Sequence, residues 1–189
     1  MEARRKRGTV DVQSEERGNR MKRTISIDPG SNGGIAVFQD ISESSGSILV
    51  SLYSMPLGNI SITERLRCIR YEDPYGEMIV IMENVGWWHP GDHPSSACAF
   101  ARSIGFLEGI LAAWRIPIVY VAPQTWMHEL FSNLPKGPKL KKERKEHIKK
   151  AMIELYGDAA KVTLKTADAL AIGTWWLKHG RFKKEKQKK

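Results

Sequence analysis

Three carboxylates occupy apolar surroundings at distant points of this 189-residue chain. Asp28 and Glu83 each end a short apolar run, and Asp168 lies inside the apolar segment 167–172. An ionised side chain is costly beside a core unless it is paired, neutralised or bound to metal. Because three converging carboxylates also repel one another, a hard divalent cation such as Mg²⁺ is the expected counter-charge.

A magnesium site of this kind supports phosphodiester hydrolysis. Two Mg²⁺ ions about 3.5–4 Å apart orient a water for in-line attack on phosphorus and stabilise the departing 3′ oxygen. Ordinary structural explanations also exist, since Asp28 can cap the Pro-Gly turn that follows it and Glu83 can end a strand in solvent. Asp168 is harder to explain in that way, because its predicted helix is apolar nearly all round. The metal hypothesis therefore depends on the three residues together.

The elements that must position these carboxylates follow from the pattern of apolar residues. Residues 24–28, 34–39 and 48–55 favour three successive strands, which implies an antiparallel meander. Helix and strand then alternate: helix 61–71, strand 78–82, a helix from Ser95 or Ser96 to about residue 115, strand 117–121, helix 123–131, a helix ending near residue 156, and helix 163–179. This order predicts an α/β protein with a mixed five-stranded sheet, three antiparallel strands followed by parallel strands, flanked by helices.

The predicted topology suggests how the carboxylates meet. If the first and fourth strands are parallel neighbours, their carboxyl ends lie side by side and bring Asp28 next to Glu83. The last helix, crossing that edge, would present Asp168 opposite them. Ligand sites in open α/β sheets favour this edge.

Basic residues are concentrated near the two ends of the chain. Lys and Arg outnumber Asp and Glu by eight to four in residues 1–23 and by seven to one in residues 178–189. The segment 136–150 adds eight basic residues against two acidic ones, so the rest of the body is acidic. We predict a basic disordered arm over 1–23, one domain over 24–180 and a basic tail over 181–189. Basic arms around an acidic centre suit a nucleic-acid partner, although solvated charged tails explain the same pattern.

Cysteine content and hydropathy limit the cellular compartments in which we expect the protein. Cys68 and Cys98 do not form a disulfide framework, and neither has partners at zinc-ligand spacing. We find no apolar run that approaches the length of a membrane span, and no apolar signal stretch at the N-terminus. These features predict a cytosolic protein in reducing conditions with no membrane partner.

Three motifs resemble, in type and order, those of the RuvC family of Holliday junction resolvases. They are Ile-Ser-Ile-Asp-Pro-Gly-Ser at 25–31, Ile-Met-Glu at 81–83 and Ala-Asp-Ala-Leu-Ala-Ile at 167–172. The resemblance covers roughly residues 23–180 and includes the predicted helix around 101–109 and Val-Ala-Pro-Gln-Thr-Trp at 121–126. It implies that residues 24–180 form an RNase H-like nuclease domain, that the protein is a homodimer, and that Asp28, Glu83 and Asp168 occupy metal-binding positions.

One position departs from the family pattern. RuvC-like proteins usually carry a second acidic residue, sometimes His, three positions before the last Asp, where this chain has Lys165. A protonated lysine cannot ligate a metal, so either the site holds one ion more loosely, or Lys165 contacts a phosphate or the leaving group, or another residue fills the gap. A fourth reading is that Lys165 pairs with Asp168 from one helical turn away. We expect one or two ions per subunit, with Mn²⁺ able to replace Mg²⁺.

Aromatic and basic residues near these motifs are candidates for DNA contacts. Trp87 and Trp88 follow Glu83 in a loop where the family has an aromatic residue that acts at the junction centre. Stacking of such rings on unpaired bases contributes about 1–3 kcal/mol per base, although either tryptophan would equally cover the core. A basic stretch entering a later helix also attracts phosphate and contains Lys139, Lys141, Lys142, Arg144 and Lys145. The family has a catalytically useful lysine in this region, and Lys142 is its nearest match here.

The sequence thus predicts a Mg²⁺-dependent endonuclease that resolves four-way DNA junctions by paired symmetric nicks. A homodimer is expected, because two symmetric nicks need two sites related by a two-fold axis. One alternative is a RuvC-like nuclease that acts on flaps, forks or other branched DNA. Another is a junction-binding protein that has lost catalysis, which the presence of Lys165 keeps open. The divergent spacing, the long arm and the Lys-rich tail are more typical of a phage, viral or organellar relative.

Overall fold

Five strands form one mixed sheet in the computed structural model, which describes residues 22–42, 46–72, 77–86, 93–135, 137 and 140–180. The strands are β1 (Lys22–Asp28), β2 (Gly34–Ser42), β3 (Gly46–Ser54), β4 (Glu77–Glu83) and β5 (Ile118–Val121). They lie in the order β3-β2-β1-β4-β5. The pairs β1–β2 and β2–β3 are antiparallel, whereas β1–β4 and β4–β5 are parallel. The predicted meander followed by parallel strands is confirmed.

Helices cover both faces of this sheet. Those in the described residues are α1 (Asn59–Tyr71), α2 (Pro94–Ala113), α3 (Pro123–Leu130), α4 (Lys141–Tyr156) and α5 (Ala167–Trp175), and α5 continues as a π-helical turn, Trp176–Gly180. The predicted arm overlaps the fold by two residues, since Lys22 and Arg23 belong to β1. The rest of that arm and the tail 181–189 lie outside the described residues.

Three helix starts differ from the sequence expectation, and the first is that of α1, which begins at Asn59 instead of residue 61. The N-cap of α2 is His93 rather than Ser95 or Ser96, because Pro94 fits the first helical turn and the His93 side chain accepts a hydrogen bond from the Ser95 backbone N–H. The last helix begins at Ala167 instead of residue 163.

A closed turn explains the later start of α5. The backbone N–H of Thr163 donates to the Thr166 hydroxyl at 2.9 Å, and the Thr163 carbonyl accepts from the backbone N–H of Ala167. Threonine side chains favour such local hydrogen bonds over a helix interior. Lys165 therefore lies in the turn before α5 and not within the helix.

Alternation along the strands divides the interior into two cores. Ile25 and Ile27 of β1 join the apolar cluster beneath α1 and α2, whereas Ser26 faces α5 and donates from its hydroxyl to the Ala169 carbonyl at 2.6 Å. Because side chains alternate with a period of two, Asp28 shares the face of Ser26. In β4, Ile81 packs in the cluster that contains α5, so Glu83 shares that face as well. The fold thus directs both carboxylates toward α5.

Close packing brings α5 directly onto the sheet. All nine residues of α5 are buried, including Asp168. At Gly173 a Cβ atom would lie 2.1 Å from the ring of Phe38 and 2.6 Å from the Ser26 hydroxyl, so only glycine permits this approach. The helix that carries Asp168 is therefore held against β1 and β2.

The helix α2 corrects the expectation that no run approaches a membrane-spanning length. It has 20 residues and a mean hydropathy of 1.3 over its most apolar window, of which only 17% is buried. By length and composition such a helix can cross a bilayer, but core helices of soluble proteins share these properties. Here Leu107 and Leu111 of α2 pack into the core against the sheet.

Candidate active site

The parallel pairing of β1 with β4 brings the first two carboxylates together. Ile27 pairs with Met82, and Asp28 and Glu83 are the next residues along each strand. After Asp28 the chain turns back tightly, and a Cβ atom at Gly33 would lie only 2.0 Å from the Asp28 carbonyl oxygen. The glycine thus permits the hairpin that follows Asp28, at the end of the sheet where β1 and β4 terminate.

Asp168 joins this end of the sheet from the first turn of α5. The relative exposure of Asp28 is 8%, and that of Glu83 and of Asp168 is 9%. A helix N-terminus favours negative charge, which partly offsets the burial of Asp168. The three predicted carboxylates therefore lie buried at one location, contributed by two strands and a helix.

Electrostatics show that the carboxylates interact. Burial raises the pKa of Asp28 well above its ordinary value, and the charges of Glu83 and Asp168 raise it further. Burial also raises the pKa of Glu83 to about 7, while a hydrogen bond from Trp126 opposes that rise and the charge of Asp168 adds to it. Without a bound cation, the site therefore favours the protonated forms of Asp28 and Glu83.

Lys145 supplies part of the missing positive charge. Its Nζ lies 3.0 Å from Oδ2 of Asp168. Burial opposes the charge of this ammonium, but Asp168, Asp28 and Glu83 together raise the pKa of Lys145 above its usual value. The lysine therefore stays protonated and acts as the counter-ion of the cluster.

Trp126 of α3 contacts the site from the other side. Its indole Nε1–H donates to Oε1 of Glu83 at 2.9 Å, and the ring is fully buried. Sequence reasoning included Trp126 in a family-like segment but assigned it no role. The available signal was physical, since an indole N–H placed in a core needs an acceptor.

The donor chemistry of the cluster suits a hard cation. Three carboxylates supply oxygen ligands, and the buried Oδ1 of Asp168 has no hydrogen-bond partner within the described ranges. Across those same ranges, no three His, Cys, Asp or Glu side chains already have the spacing of a metal site. The carboxylate oxygens are ligands that suit Mg²⁺. In the structure, the ammonium of Lys145 lies beside Asp168.

Comparison with known proteins adds the fold family to this geometry. No protein-family model matches the chain, and no curated protein does so. Among solved structures, Thermus thermophilus RuvC in complex with a Holliday junction substrate is similar, with a TM-score of 0.59 and 16% identity over 86% of this chain and 96% of that chain. The chain has the RuvC fold. A second Thermus thermophilus RuvC structure has a TM-score of 0.53 and 16% identity, covering 84% of this chain and 96% of that one.

The predicted lysines differ in their exposure and in whether they reach the carboxylates. Lys142 is exposed on α4, whereas Lys145, one turn later, reaches Asp168. Lys141 lies close enough for its charge to lower the pKa of Asp28. Lys165 is exposed in the turn before α5, and the ion pair of Asp168 is made by Lys145.

Of the other residues predicted to contact DNA, the structure describes only some. Arg144 is half-buried on α4. Trp87, Trp88 and Lys139 lie outside the described residues, so their roles stay predictions. The described site combines three buried carboxylates with a cationic helix, an arrangement able to bind a phosphodiester and a divalent cation together.

Proposed function

We propose that this chain is a metal-dependent endonuclease that resolves four-way DNA junctions by paired symmetric nicks. The observation that carries the proposal is the convergence of Asp28, Glu83 and Asp168 on one edge of a RuvC fold. Further support comes from the similar Thermus thermophilus protein, whose structure contains a Holliday junction substrate.

The carboxylates are the residues that would hold the metal in this proposal. When held there, Mg²⁺, or Mn²⁺ in its place, would supply Lewis-acid activation of a water and stabilise charge on the leaving oxygen. Burial of Asp28, Glu83 and Asp168 keeps bulk water from competing for their oxygens. Lys145 neutralises Asp168 in the free protein and offers an ammonium to an incoming phosphate.

The N-terminal part of α4 is the proposed DNA contact. It presents Lys141, Lys142 and Arg144 around the positive end of a helix, next to the carboxylate cluster. Such groups bind phosphate with little regard to base sequence. Trp87 and Trp88 stay predicted stacking partners for unpaired bases at the junction centre.

The exposed face of α2 is the proposed dimer surface. Its exposed positions are mostly small residues, and the space beside Gly105 and Gly109 is open, with no atom of the described residues within 4 Å of a Cβ built at either glycine. Small residues along one face let a second helix approach closely. A two-fold contact here would supply the two active sites that symmetric nicking requires.

Cleavage of a labelled four-way junction tests the activity. In Mg²⁺ the protein should make symmetric nicks that EDTA prevents and that Asp28→Asn abolishes. Asp158→Asn is the matched control, because Asp158 is an exposed aspartate outside the cluster, and it should cut normally. Efficient cutting by Asp28→Asn would contradict the proposal, and a preference for flaps would favour the branched-DNA nuclease.

A junction-binding protein without catalysis is the alternative that the Lys145–Asp168 ion pair favours. An ammonium already neutralises the cluster, and Lys165 replaces the usual acidic residue. That reading expects tight junction binding with no cleavage in either Mg²⁺ or Mn²⁺. The same assay therefore separates the two functions.

A further inference from the structure

We propose that Trp126 is a positioning residue that holds the Glu83 carboxylate in the orientation needed to bind the metal. The inference rests on the proposed function, because it assigns Glu83 a role in holding a divalent cation. It concerns a residue that contacts a carboxylate of the site but does not itself touch the DNA or the ion.

The hydrogen bond between these residues restricts Glu83 in a defined way. An indole N–H can only donate, so Oε1 of Glu83 must accept at 2.9 Å. This leaves Oε2 as the Glu83 oxygen without an indole partner. A buried carboxylate held through one oxygen loses rotational freedom, and the other oxygen then faces its neighbours in the cluster, where Asp28 also hydrogen-bonds to Glu83.

Packing fixes Trp126 itself. Its helix α3 starts directly after β5, and β5 pairs Val121 with Glu83 in the sheet. The indole packs edge-on against Phe131 at 6.4 Å between ring centroids, and Phe131 packs edge-on against His147 of α4 at the same separation. Trp126 thus connects Glu83 to the helix that carries Lys145.

A second tryptophan–glutamate pair in the molecule shows what an ordinary structural contact looks like. Trp175 of α5 donates from its indole to Oε2 of Glu129 at 2.6 Å. Glu129 is an exposed residue that also lies 3.8 Å from His179. The two pairs have the same chemistry, but only that of Trp126 ends on a buried carboxylate of the cluster.

The matched variants Trp126→Phe and Trp175→Phe test the proposal. Each keeps an aromatic ring and removes one indole hydrogen bond to a glutamate. We expect Trp126→Phe to raise the Mg²⁺ concentration for half-maximal junction cleavage about 10–100-fold, the usual effect of losing a partner behind a metal ligand. Excess Mg²⁺ should restore part of the activity. Trp175→Phe should keep the wild-type Mg²⁺ requirement.

A second readout does not depend on cleavage. The six tryptophans give six indole N–H signals in an ¹⁵N correlation spectrum, and Trp126→Phe identifies the signal of Trp126. Titration with Mg²⁺ alone should shift the Trp126 signal and leave that of Trp175 in place. The shift should disappear in Asp28→Asn, because that variant removes another carboxylate of the same site.

The outcomes separate the two proposals. An equal Mg²⁺ requirement in both tryptophan variants, or an unmoved Trp126 signal, would overturn the positioning role while leaving the nuclease intact. If the wild-type protein cuts no DNA but the Trp126 signal responds to Mg²⁺, the positioning role stands and the nuclease fails. Should Trp126→Phe not fold, sequential assignment of the wild-type protein identifies the Trp126 signal, and a signal that stays in place when Mg²⁺ is added overturns the positioning role.

Discussion

The two faces of the sheet use the same strands for different purposes. Toward α1 and α2, β1 presents Ile25 and Ile27 to an apolar cluster, and the buried Arg23 on the same face donates to the Ile69 carbonyl of α1. Toward α5, the same strand presents Ser26 and Asp28, and the Ser26 hydroxyl finds a backbone acceptor on α5. Buried polar groups persist where partners exist for them. The first face therefore provides stability, and the second carries the carboxylates of the proposed metal site at some cost in stability.

The largest expected effect is a loss of activity without a loss of stability when a carboxylate on the α5 face is changed. Asp28→Asn should lower junction cleavage by about 10³-fold or more, because it removes a charged oxygen ligand. It should leave the melting temperature unchanged or higher, because burial and its neighbours already disfavour the Asp28 charge. Nicking rates and thermal melts of the same preparation check both parts. A large drop in melting temperature with near-normal nicking would reverse the assignment of the two faces.

The opposite outcome is expected on the α1 and α2 face. Ile25→Ala should reduce the free energy of unfolding by about 2–5 kcal/mol, since Ile25 is buried in the apolar core. The folded fraction should cut DNA at close to the wild-type rate. Urea unfolding followed by cleavage at low temperature measures the two effects. Loss of nicking in fully folded Ile25→Ala would show that the faces are coupled.

Two lysines on α4 test whether cleavage depends on the one ammonium beside Asp168 or on the positive charge of the whole helix. Lys145→Gln should lower cleavage by about 10²-fold, because it removes the ammonium that lies beside Asp168. Lys142→Gln should weaken DNA binding modestly and leave the maximal rate unchanged, since Lys142 is exposed. Single-turnover rates at saturating protein distinguish the two. Equal losses in both variants would mean that α4 acts only as a diffuse basic surface.

The smallest effect concerns pH. Since the pKa of Glu83 is raised to about 7, the folded protein binds a proton there that the unfolded chain has released above about pH 4.5. The folded state therefore holds more protons between those values, and stability without Mg²⁺ should fall as pH rises, by at most about 1.4 kcal/mol per pH unit for each such group.

Variants and metal sharpen this pH prediction. Glu83→Gln should flatten the fall of stability with pH, because the titrating carboxyl is gone. Glu64 is exposed, so the control variant Glu64→Gln should leave that fall unchanged. Mg²⁺ binds the deprotonated carboxylates, so it should stabilise the protein most above pH 7. Chemical unfolding from pH 5 to pH 8 measures the trend, and a rising stability over that range would contradict it.

Much of this arrangement was predictable from local patterns. Apolar runs ending in Asp28 and Glu83, together with alternation of helix and strand, predicted the mixed sheet and the edge where its strands end. These features depend on neighbouring residues along the chain, which the sequence displays directly. The start of α5 was less predictable, because the hydrogen bonds between Thr163 and Thr166 compete with a helix.

The sequence by itself determined which strands exist and that Asp28, Glu83 and Asp168 are the acids in apolar surroundings. Periodicity and burial cost suffice for those statements. Only the tertiary structure decided that Lys145 pairs with Asp168 and that Trp126 donates to Glu83. Those contacts depend on how α3 and α4 dock on the sheet, because residues far apart in sequence must meet within about 3 Å to hydrogen-bond.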